Sequence, residues 1–537
     1  MARGCDILVE CLAREGVQHL FGMPGSHSTA IYDALHLNGK IRTILIRNEQ
    51  SAAFAADGYA RVTGRPGVVC TTAGPGATNA LTGVAEAWAD SVPVLLVTGH
   101  VNSDRMHLEC GAYHEIDLES ILRPTTKWCG TVTAAEQIPA LVQSAFEAMT
   151  TGRPRPAALI LPQDLMWREC DAMPELELRM RGPGQPGTPL SPPPAPETIV
   201  EAAAILARAA RPIVLAGGGA LWSGAAAEVR ALAARLDAPV VTTLNAKGLL
   251  DERDRYSLGH ARSARAKAAL RHADAMLAVG CRFTEVMTDW RRMRVPEPLV
   301  QIDLAPDQIG MNYPAVLGIV ADAKAALAAL VNALPRGKQS QWGEIWEQAS
   351  MARPAQPEWF IDTLRTELPE EAIVFTDACE MGYRMHTDWT SYGPRGFFYP
   401  SNYIALGWAF PAAVGAAVAL PEVPVVSVSG DGGFLMTAQE LATAARYKLR
   451  LIAVVHNDSC YGAIRNIQQR KYQERYLDTD LNNPDFLQFA ASFGIPARRA
   501  RSADELKAAV RFALDQVGPC LIEVPDRWRF LRDLSNA

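Results

Sequence analysis

The chain has 537 residues, of which 49% are hydrophobic and 20% charged, and its formal net charge is −6. This composition is typical of a globular protein with several domains, and the negative charge gives no electrostatic support for a nucleic-acid partner. We see neither an apolar run long enough to span a membrane nor a signal peptide, so we expect a cytoplasmic protein that acts on a small molecule. The ten cysteines form no CxxC pair and are expected to be reduced thiols.

The first part of the chain, 1–175, alternates short apolar segments with helical patterns. Its predicted strands are 41–47, 67–72, 92–98 and 157–161. Repetition of strand followed by helix is typical of a mostly parallel α/β sheet. The segment 181–196 is so rich in Pro and Gly that we expect a linker there.

Two further α/β units follow the linker, a middle domain at 190–335 and a third domain at 355–530. Predicted strands of the middle domain are 212–216, 239–243, 275–279 and 299–302. Those of the third domain are 372–376, 423–429, 451–456 and 519–524. The predicted fold class is therefore α/β, with three doubly wound parallel sheets whose ligands lie at the carboxyl ends of the strands.

Acidic residues follow two of the predicted strands in the third domain. One strand runs into Gly430-Asp431-Gly432-Gly433 and a predicted helix at 437–447, and the next ends in Asn457-Asp458. If a right-handed crossover makes these strands parallel neighbours, both carboxylates emerge at one sheet end and can share a cation. Oxygen ligands beside bare backbone suit Mg²⁺ holding a diphosphate. A simple turn and a helix cap are the alternative interpretation, which the motif leaves open.

Glu49 follows the predicted strand 41–47 and precedes a predicted helix at 51–61. A glutamate at a helix start is ordinarily a favourable first-turn charge. Two other segments are equally ordinary when seen in isolation. Gly74-Pro75-Gly76 is a turn between strand and helix, and Leu406 is an apolar residue of the kind that fills a core.

Together these segments resemble the thiamine-diphosphate-dependent enzymes, whose signature begins Gly-Asp-Gly and ends Asn-Asn. Here the signature ends Asn457-Asp458, 27 positions after Asp431. The resemblance covers essentially the whole chain, in the order pyrimidine-binding (1–175), middle Rossmann-like (190–335) and diphosphate-binding (355–530) domain. Within the superfamily the chain looks like acetolactate synthase and its relatives, through Gly22-Met-Pro-Gly25, the segment 73–79 and Glu440-Leu-Ala-Thr443.

The resemblance implies thiamine diphosphate and Mg²⁺ as cofactors. The implied metal ligands are Asp431, Asp458 and the backbone carbonyl of Cys460, and the last Asn of the signature is here an acid. Glu49 would exchange a proton with the cofactor's pyrimidine ring, and Leu406 would force the bent cofactor conformation. The other implied cofactor-binding positions are Pro75, Asn79, Gly430, Gly432, Gly433, Tyr461, Gly462, Ala463 and Ile464.

In these enzymes the glutamate of one subunit completes the site of another, so a homodimer or homotetramer with active sites at the subunit interface is implied. Several residues depart from acetolactate synthase. Ser26 and His27 stand where that enzyme has Gly-Ala, although benzoylformate decarboxylase resembles this chain with a Ser, and Tyr113-His114 replaces Phe-Gln. FAD is doubtful because Gly259-His-Ala replaces Met-His-Gly.

Ser26, His27 and His114 are catalytic candidates, since imidazole titrates near neutrality and suits acid–base work. A structural role for either histidine is the alternative. The predicted activity is an acetolactate-synthase-like reaction that decarboxylates a 2-oxo acid and joins the product to a second carbonyl. The alternatives are a 2-oxo acid decarboxylase or a 2-hydroxyacyl lyase, both of which release an aldehyde.

Two hypotheses from other classes are disfavoured. A dinucleotide-binding dehydrogenase could be built on Gly217-Gly218-Gly219, but this run lacks the GxGxxG spacing and the acid about 20 residues further on. A homologue that binds the cofactor without turnover has no need of Glu49, and the glutamate is present.

Overall fold

The computed structural model describes residues 2–170, 193–352 and 359–525. These residues contain three six-stranded sheets, in which all paired strands are parallel, and one antiparallel two-stranded pair. The predicted α/β class with three parallel sheets is therefore confirmed. Most of the predicted linker at 181–196 lies outside the described residues.

The first sheet has the strand order β3-β2-β4-β5-β7-β6, and β1 pairs with β8 beside it. The strands are β1 (Ala2–Arg3), β2 (His19–Gly22), β3 (Arg42–Leu45), β4 (Gly67–Thr71), β5 (Val94–His100), β6 (Trp128–Thr131), β7 (Ala157–Pro162) and β8 (Glu169–Cys170). The helices are α1 (Gly4–Arg14), α2 (Thr29–Asn38), α3 (Glu49–Thr63), α4 (Pro75–Asp90), α5 (Leu118–Leu122), α6 (Ile138–Thr150) and α7 (Gln163–Trp167).

The middle sheet has the order β11-β10-β9-β12-β13-β14, the arrangement of a dinucleotide-binding Rossmann sheet. Its strands are β9 (Pro212–Ala216), β10 (Val240–Thr242), β11 (Ser257–His260), β12 (Ala275–Val279), β13 (Leu299–Asp303) and β14 (Leu317–Val320). Its helices are α8 (Pro196–Arg208), α9 (Gly218–Trp222), α10 (Ala226–Leu236), α11 (Ala264–Leu270), α12 (Ala323–Ala333) and α13 (Gly343–Met351).

The third sheet has the order β16-β15-β17-β18-β20-β19, which repeats the order of the first sheet. Its strands are β15 (Ile373–Thr376), β16 (Phe397–Phe398), β17 (Val425–Gly430), β18 (Leu451–Asn457), β19 (Ala497–Arg499) and β20 (Cys520–Pro525). Its helices are α14 (Trp359–Glu367), α15 (Glu380–Asp388), α16 (Ala409–Ala419), α17 (Asp431–Thr437), α18 (Leu441–Tyr447), α19 (Gly462–Lys471), α20 (Phe486–Ser492) and α21 (Ala503–Leu514).

Every predicted strand coincides with an observed one, because most are continuous buried apolar runs, whereas β3 alternates exposed and buried residues at the edge of its sheet. The predicted helix at 437–447 was wrong in its start. Helix α17 already begins at Asp431, and a 3₁₀ turn at Ala438–Glu440 separates it from α18. The pair Gly432-Gly433 indicated a turn, whereas in the fold an acid in the first helical turn and the buried Phe434 stabilise the helix.

The first and third domains are joined by close packing of α3 against α16. At the crossing, a Cβ on Gly58 would overlap the backbone of Ala412, and one on Gly415 would overlap the backbone of Ala55. Small residues let the two helix backbones approach, and alanines from both helices share one hydrophobic core. Since Glu49 is the first residue of α3, its position is fixed partly by the third domain.

Helix α13 packs against the middle domain. It contacts α11 through a core that includes Trp342 and Ala349. We therefore propose that this domain extends past residue 335, where the sequence predicts its end. None of the helices within 2–170, 193–352 and 359–525 combines the length and the apolar character needed to cross a membrane.

Candidate functional site

The first sheet opens a crevice between β2 and β4, where the chain turns to opposite sides of the sheet. Such a switch point is where ligands bind in open parallel sheets. Strand β2 leads into Ser26 and His27, and β4 leads into the turn Gly74-Pro75-Gly76. The two loops are tied together, because the His27 backbone N–H donates to Oγ1 of Thr72 at 3.2 Å.

Glu49 lies beside this crevice at the start of α3, whose N-cap is the Asn48 side chain. The Glu49 side chain is buried, at 8% exposure, and its Oε2 accepts a hydrogen bond of 3.1 Å from Nδ2 of Asn79. A Cβ on Gly76 would lie 3.3 Å from the other carboxylate oxygen. The structure thus brings Glu49, Asn79 and the turn containing Pro75 into one pocket.

A cluster of rings covers the same crevice. The ring centroids of His27 and His114 are 5.5 Å apart, Tyr113 stacks on His114 at 3.8 Å, and Ser26 Oγ hydrogen-bonds with Nδ1 of His27 at 3.1 Å. Burial, followed by the charges of His114 and His100, lowers the pKa of His27. His114 has φ of +67°, and its buried Nδ1 has no hydrogen-bond partner among the described residues. The lowered pKa favours the neutral form of the His27 imidazole.

The third sheet brings the two predicted metal ligands together. Strands β17 and β18 are parallel neighbours, with Gly430 opposite His456, so Asp431 and Asp458 emerge at the same sheet end. Their carboxyl groups lie within hydrogen-bonding reach of each other. Burial and then the Asp431 charge raise the pKa of Asp458 to about 7, and burial raises the pKa of Asp431. The backbone N–H of Cys460 donates to Asp458 Oδ1 at 3.1 Å.

Two polar residues of this site were missed in the sequence. Asn483, in the loop between α19 and α20, donates to Asp431 Oδ2 and to Oδ1 of Asn457. It lies 52 positions from Asp431 in the chain, and no local motif identifies it. Asp377 follows β15, and burial raises its pKa to about 6. Its place at the end of a predicted strand was the signal that could have found it.

Glycines keep the backbone bare around the acids. A Cβ on Gly430 would lie 2.9 Å from Cys379, one on Gly432 2.6 Å from Tyr461, and one on Gly462 2.5 Å from Asp458. A Cβ on Gly433 would lie close to the Asp377 carboxylate. Such bare loops beside two carboxylates fit a diphosphate held by a divalent ion. Within the described ranges, no group of three or more His, Cys, Asp or Glu side chains is arranged so that it could hold a metal ion, so other ligands would have to be backbone, amide or phosphate oxygens.

Leu406 lies next to the glycine loops that surround Asp431 and Asp458. Gly407, in a left-handed conformation at φ of +80°, approaches Gly433, and its carbonyl accepts a hydrogen bond of 2.9 Å from Thr437 Oγ1. Leu406 is 36% exposed, and Ile464 on α19 is 51% exposed. Ala463 precedes Ile464 in the first turn of α19. Apolar side chains are therefore left open beside the acids in a single chain.

In the part of the chain that the structure describes, no hydrogen bond or ion pair joins Glu49 to Asp431 or Asp458. The third domain instead holds the loop before Glu49, because Glu440 accepts from the Arg47 backbone N–H at 3.1 Å. Burial raises the pKa of Glu440 to about 7.

A cavity of about 400 Å³ lies at the carboxyl end of the middle sheet and is bordered by the first and third domains. Gly218 and Gly219, from the glycine run considered for a dinucleotide, line it together with Gly280 and Arg282. A Cβ on Gly219 would lie 2.7 Å from Gly280 Cα. The glycine run therefore permits close packing of two loops, which explains its composition without the GxGxxG motif.

Comparison with known families matches all three domains. Residues 2–121 match the N-terminal TPP binding domain of thiamine pyrophosphate enzymes, residues 199–330 their central domain, and residues 379–524 their C-terminal TPP binding domain. A probable acetolactate synthase large subunit of Methanocaldococcus jannaschii is 36% identical, covering 97% of this chain and 91% of the relative.

Two other relatives extend this picture. An acetolactate synthase large subunit of Parasynechococcus marenigrum is 34% identical over 97% of this chain and 87% of its own length. A probable 2-ketoarginine decarboxylase of Pseudomonas aeruginosa is 34% identical over 96% of this chain and 93% of its own length.

Proposed function

Since this chain belongs to the thiamine pyrophosphate enzyme family, we propose that it is a thiamine-diphosphate and Mg²⁺ dependent enzyme acting on a 2-oxo acid. When bound, the cofactor supplies a carbon nucleophile and an electron sink for the substrate carbonyl carbon. The observation that carries the proposal is the buried Glu49 carboxyl, held by Asn79 at a switch-point crevice.

In this proposal Glu49 moves a proton to and from the pyrimidine ring of the cofactor. Asn79 orients the carboxylate, and the Gly74-Pro75-Gly76 turn leaves room for the ring. Burial of the Glu49 side chain limits its access to water, which favours proton transfer to a bound group.

The third domain would hold the other end of the cofactor. Asp431, Asp458 and the Cys460 carbonyl would bind Mg²⁺, and the loops at Gly430, Gly432 and Gly433 would leave space for the phosphates. Tyr461, Gly462, Ala463 and Ile464 would line the pocket beside Leu406, which would support the bent cofactor. Asn483, which is not itself a ligand, would orient the Asp431 carboxylate through its hydrogen bond.

We propose carboligation of the acetolactate-synthase type as the reaction, in line with the names of two of the relatives reported above. Ser26, His27 and His114 favour a second candidate, a decarboxylase that releases an aldehyde. A neutral imidazole at His27 can accept a proton, and the imidazolium so formed can then donate the proton that such a release requires. The 2-ketoarginine decarboxylase relative supports this candidate too.

We further propose a cytoplasmic homodimer or homotetramer in which Glu49 of one subunit faces Asp431 and Asp458 of another. The exposure of the apolar side chains of Leu406 and Ile464 in a single chain supports a site completed at an interface. Independence from FAD stays a prediction, which the absorption spectrum of the purified protein tests.

The deciding experiment gives the Mg²⁺ and thiamine-diphosphate loaded enzyme a panel of 2-oxo acids and identifies every product. With pyruvate, acetolactate supports carboligation and acetaldehyde supports the decarboxylase. If only bulkier 2-oxo acids are turned over, the donor substrate belongs to that class. Absence of cofactor binding by calorimetry, with or without Mg²⁺, would end the whole proposal.

A further inference from the structure

The segment 399–407 contains Leu406. Buried acids of the first domain form hydrogen bonds to this segment. Glu86 and Asp90 lie one turn apart on α4, and so share a face of that helix. Glu86 Oε2 accepts from the Ala405 backbone N–H at 2.9 Å, and Asp90 Oδ2 accepts from the Ser401 backbone N–H at 2.8 Å. Asp90 also accepts from the Asn402 side chain.

The backbone next to the Glu86 contact is strained. Ile404 has φ of +62°, a left-handed conformation that a β-branched residue rarely adopts. Such a conformation persists only where the surroundings enforce it, and it is concentrated at functional sites. The hydrogen bond from Ala405 to Glu86 begins one residue after Ile404, where it can enforce this backbone.

Burial of Glu86 costs more stability than a purely structural contact would justify. It is 0% exposed, its Oε1 has no hydrogen-bond partner among the described residues, and the nearby Arg61 already pairs with Asp57 and Asp90. Burial raises its pKa well above the usual range. A buried acid without a cation of its own costs stability. Here it serves a single backbone N–H, that of the residue immediately before Leu406.

We propose that Glu86 is a positioning residue. It sets the conformation of the 399–407 segment and thereby places the Leu406 side chain where it can support the bent cofactor. This inference rests on the proposed function, because it assigns to Leu406 the support of bent thiamine diphosphate. Helix α4 also carries Asn79, the partner of Glu49. In the proposed oligomer, α4 of one subunit therefore contacts residues that belong to two different active sites.

The test measures exchange of the cofactor C2 proton for deuterium by quenched-flow NMR, in enzyme saturated with Mg²⁺ and thiamine diphosphate. The variant E86L removes the acceptor, and E86Q retains a neutral acceptor of the same shape as the matched control. We expect exchange in E86L to be slower by about 10²-fold, as for a misplacement of the order of 1 Å. E86Q should stay within about threefold of wild type.

Leu406 supplies the decisive comparison. We expect L406A to slow exchange as E86L does, and the E86L/L406A double variant to match the slower single variant within about twofold, because both act through one side chain. Fully additive losses, or wild-type exchange in folded and saturated E86L, would overturn the inference. If wild type itself exchanges no faster than free cofactor, the proposed function fails instead.

Two further measurements keep the inference testable if E86L does not fold. E86A removes the same acceptor without adding branched carbons. In wild-type enzyme without cofactor, hydrogen–deuterium exchange should show a protected Ala405 amide, because the contact to Glu86 exists before the cofactor binds. An Ala405 amide that exchanges freely in that state would contradict the positioning role.

Discussion

The first and third sheets have the same strand order, yet their switch-point crevices collect different side chains. The crevice of the first sheet holds Glu49 and a cluster of imidazole and phenol rings. In the third sheet, Asp431 follows a strand at the switch point and Asp458 follows the next strand along, and glycines surround both. The same topology therefore supplies two places for a ligand, and the residues at the strand ends decide whether a place suits proton transfer or a metal-bound phosphate.

The largest effect is expected from E49Q, which tests the proton-transfer half. Without an ionisable carboxyl beside Asn79, we expect kcat to fall by about 10²- to 10⁴-fold while the cofactor still binds. Steady-state kinetics and calorimetry measure the two quantities. E197Q, a glutamate in the first turn of α8 on the surface, is the matched control. Unchanged kcat in E49Q would remove Glu49 from catalysis.

The next effect is expected from H27A in the same crevice. If His27 moves protons for the substrate, kcat should fall by about 10²-fold with cofactor affinity unchanged. H36A, which removes an exposed histidine of α2, serves as control. A loss of folding stability with normal kcat would instead identify His27 as a structural residue that packs against His114.

A smaller effect on the metal half is expected from N483A. Removal of the amide that orients Asp431 should weaken Mg²⁺ binding by about 10- to 100-fold, as is usual for residues behind the ligands. N482A, its exposed neighbour, is the control. Calorimetric titration with Mg²⁺ at saturating thiamine diphosphate measures the change, and equal affinity in both variants would show that Asn483 does not support the site.

The smallest effect concerns pH and separates the two crevices further. The pKa of Asp458 is raised to about 7, and a metal binds only the ionised carboxylate. Mg²⁺ affinity should therefore fall as pH decreases below about 7, by up to about tenfold per unit, and level off above it. D458N should remove this dependence. A pH-independent affinity in wild type would contradict the assignment of Asp458.

The sequence by itself determined the parts of the molecule that depend on neighbouring residues in the chain. The buried apolar runs predicted the strands, and Gly430-Asp431-Gly432 together with Asn457-Asp458 predicted a shared sheet end, because parallel strands joined by a helix end at the same edge. The start of α17 was missed, since a glycine pair indicates a turn more strongly than a helix.

Only the tertiary structure decided which distant residues meet. Asn483 reaches Asp431 across 52 positions, and Glu86 reaches the Ala405 amide across 319. Neither contact has a local pattern, because a single hydrogen bond between separate elements leaves no periodicity in the chain. Such contacts are fixed by how the sheets and helices pack, which here places α4 and the 399–407 segment side by side.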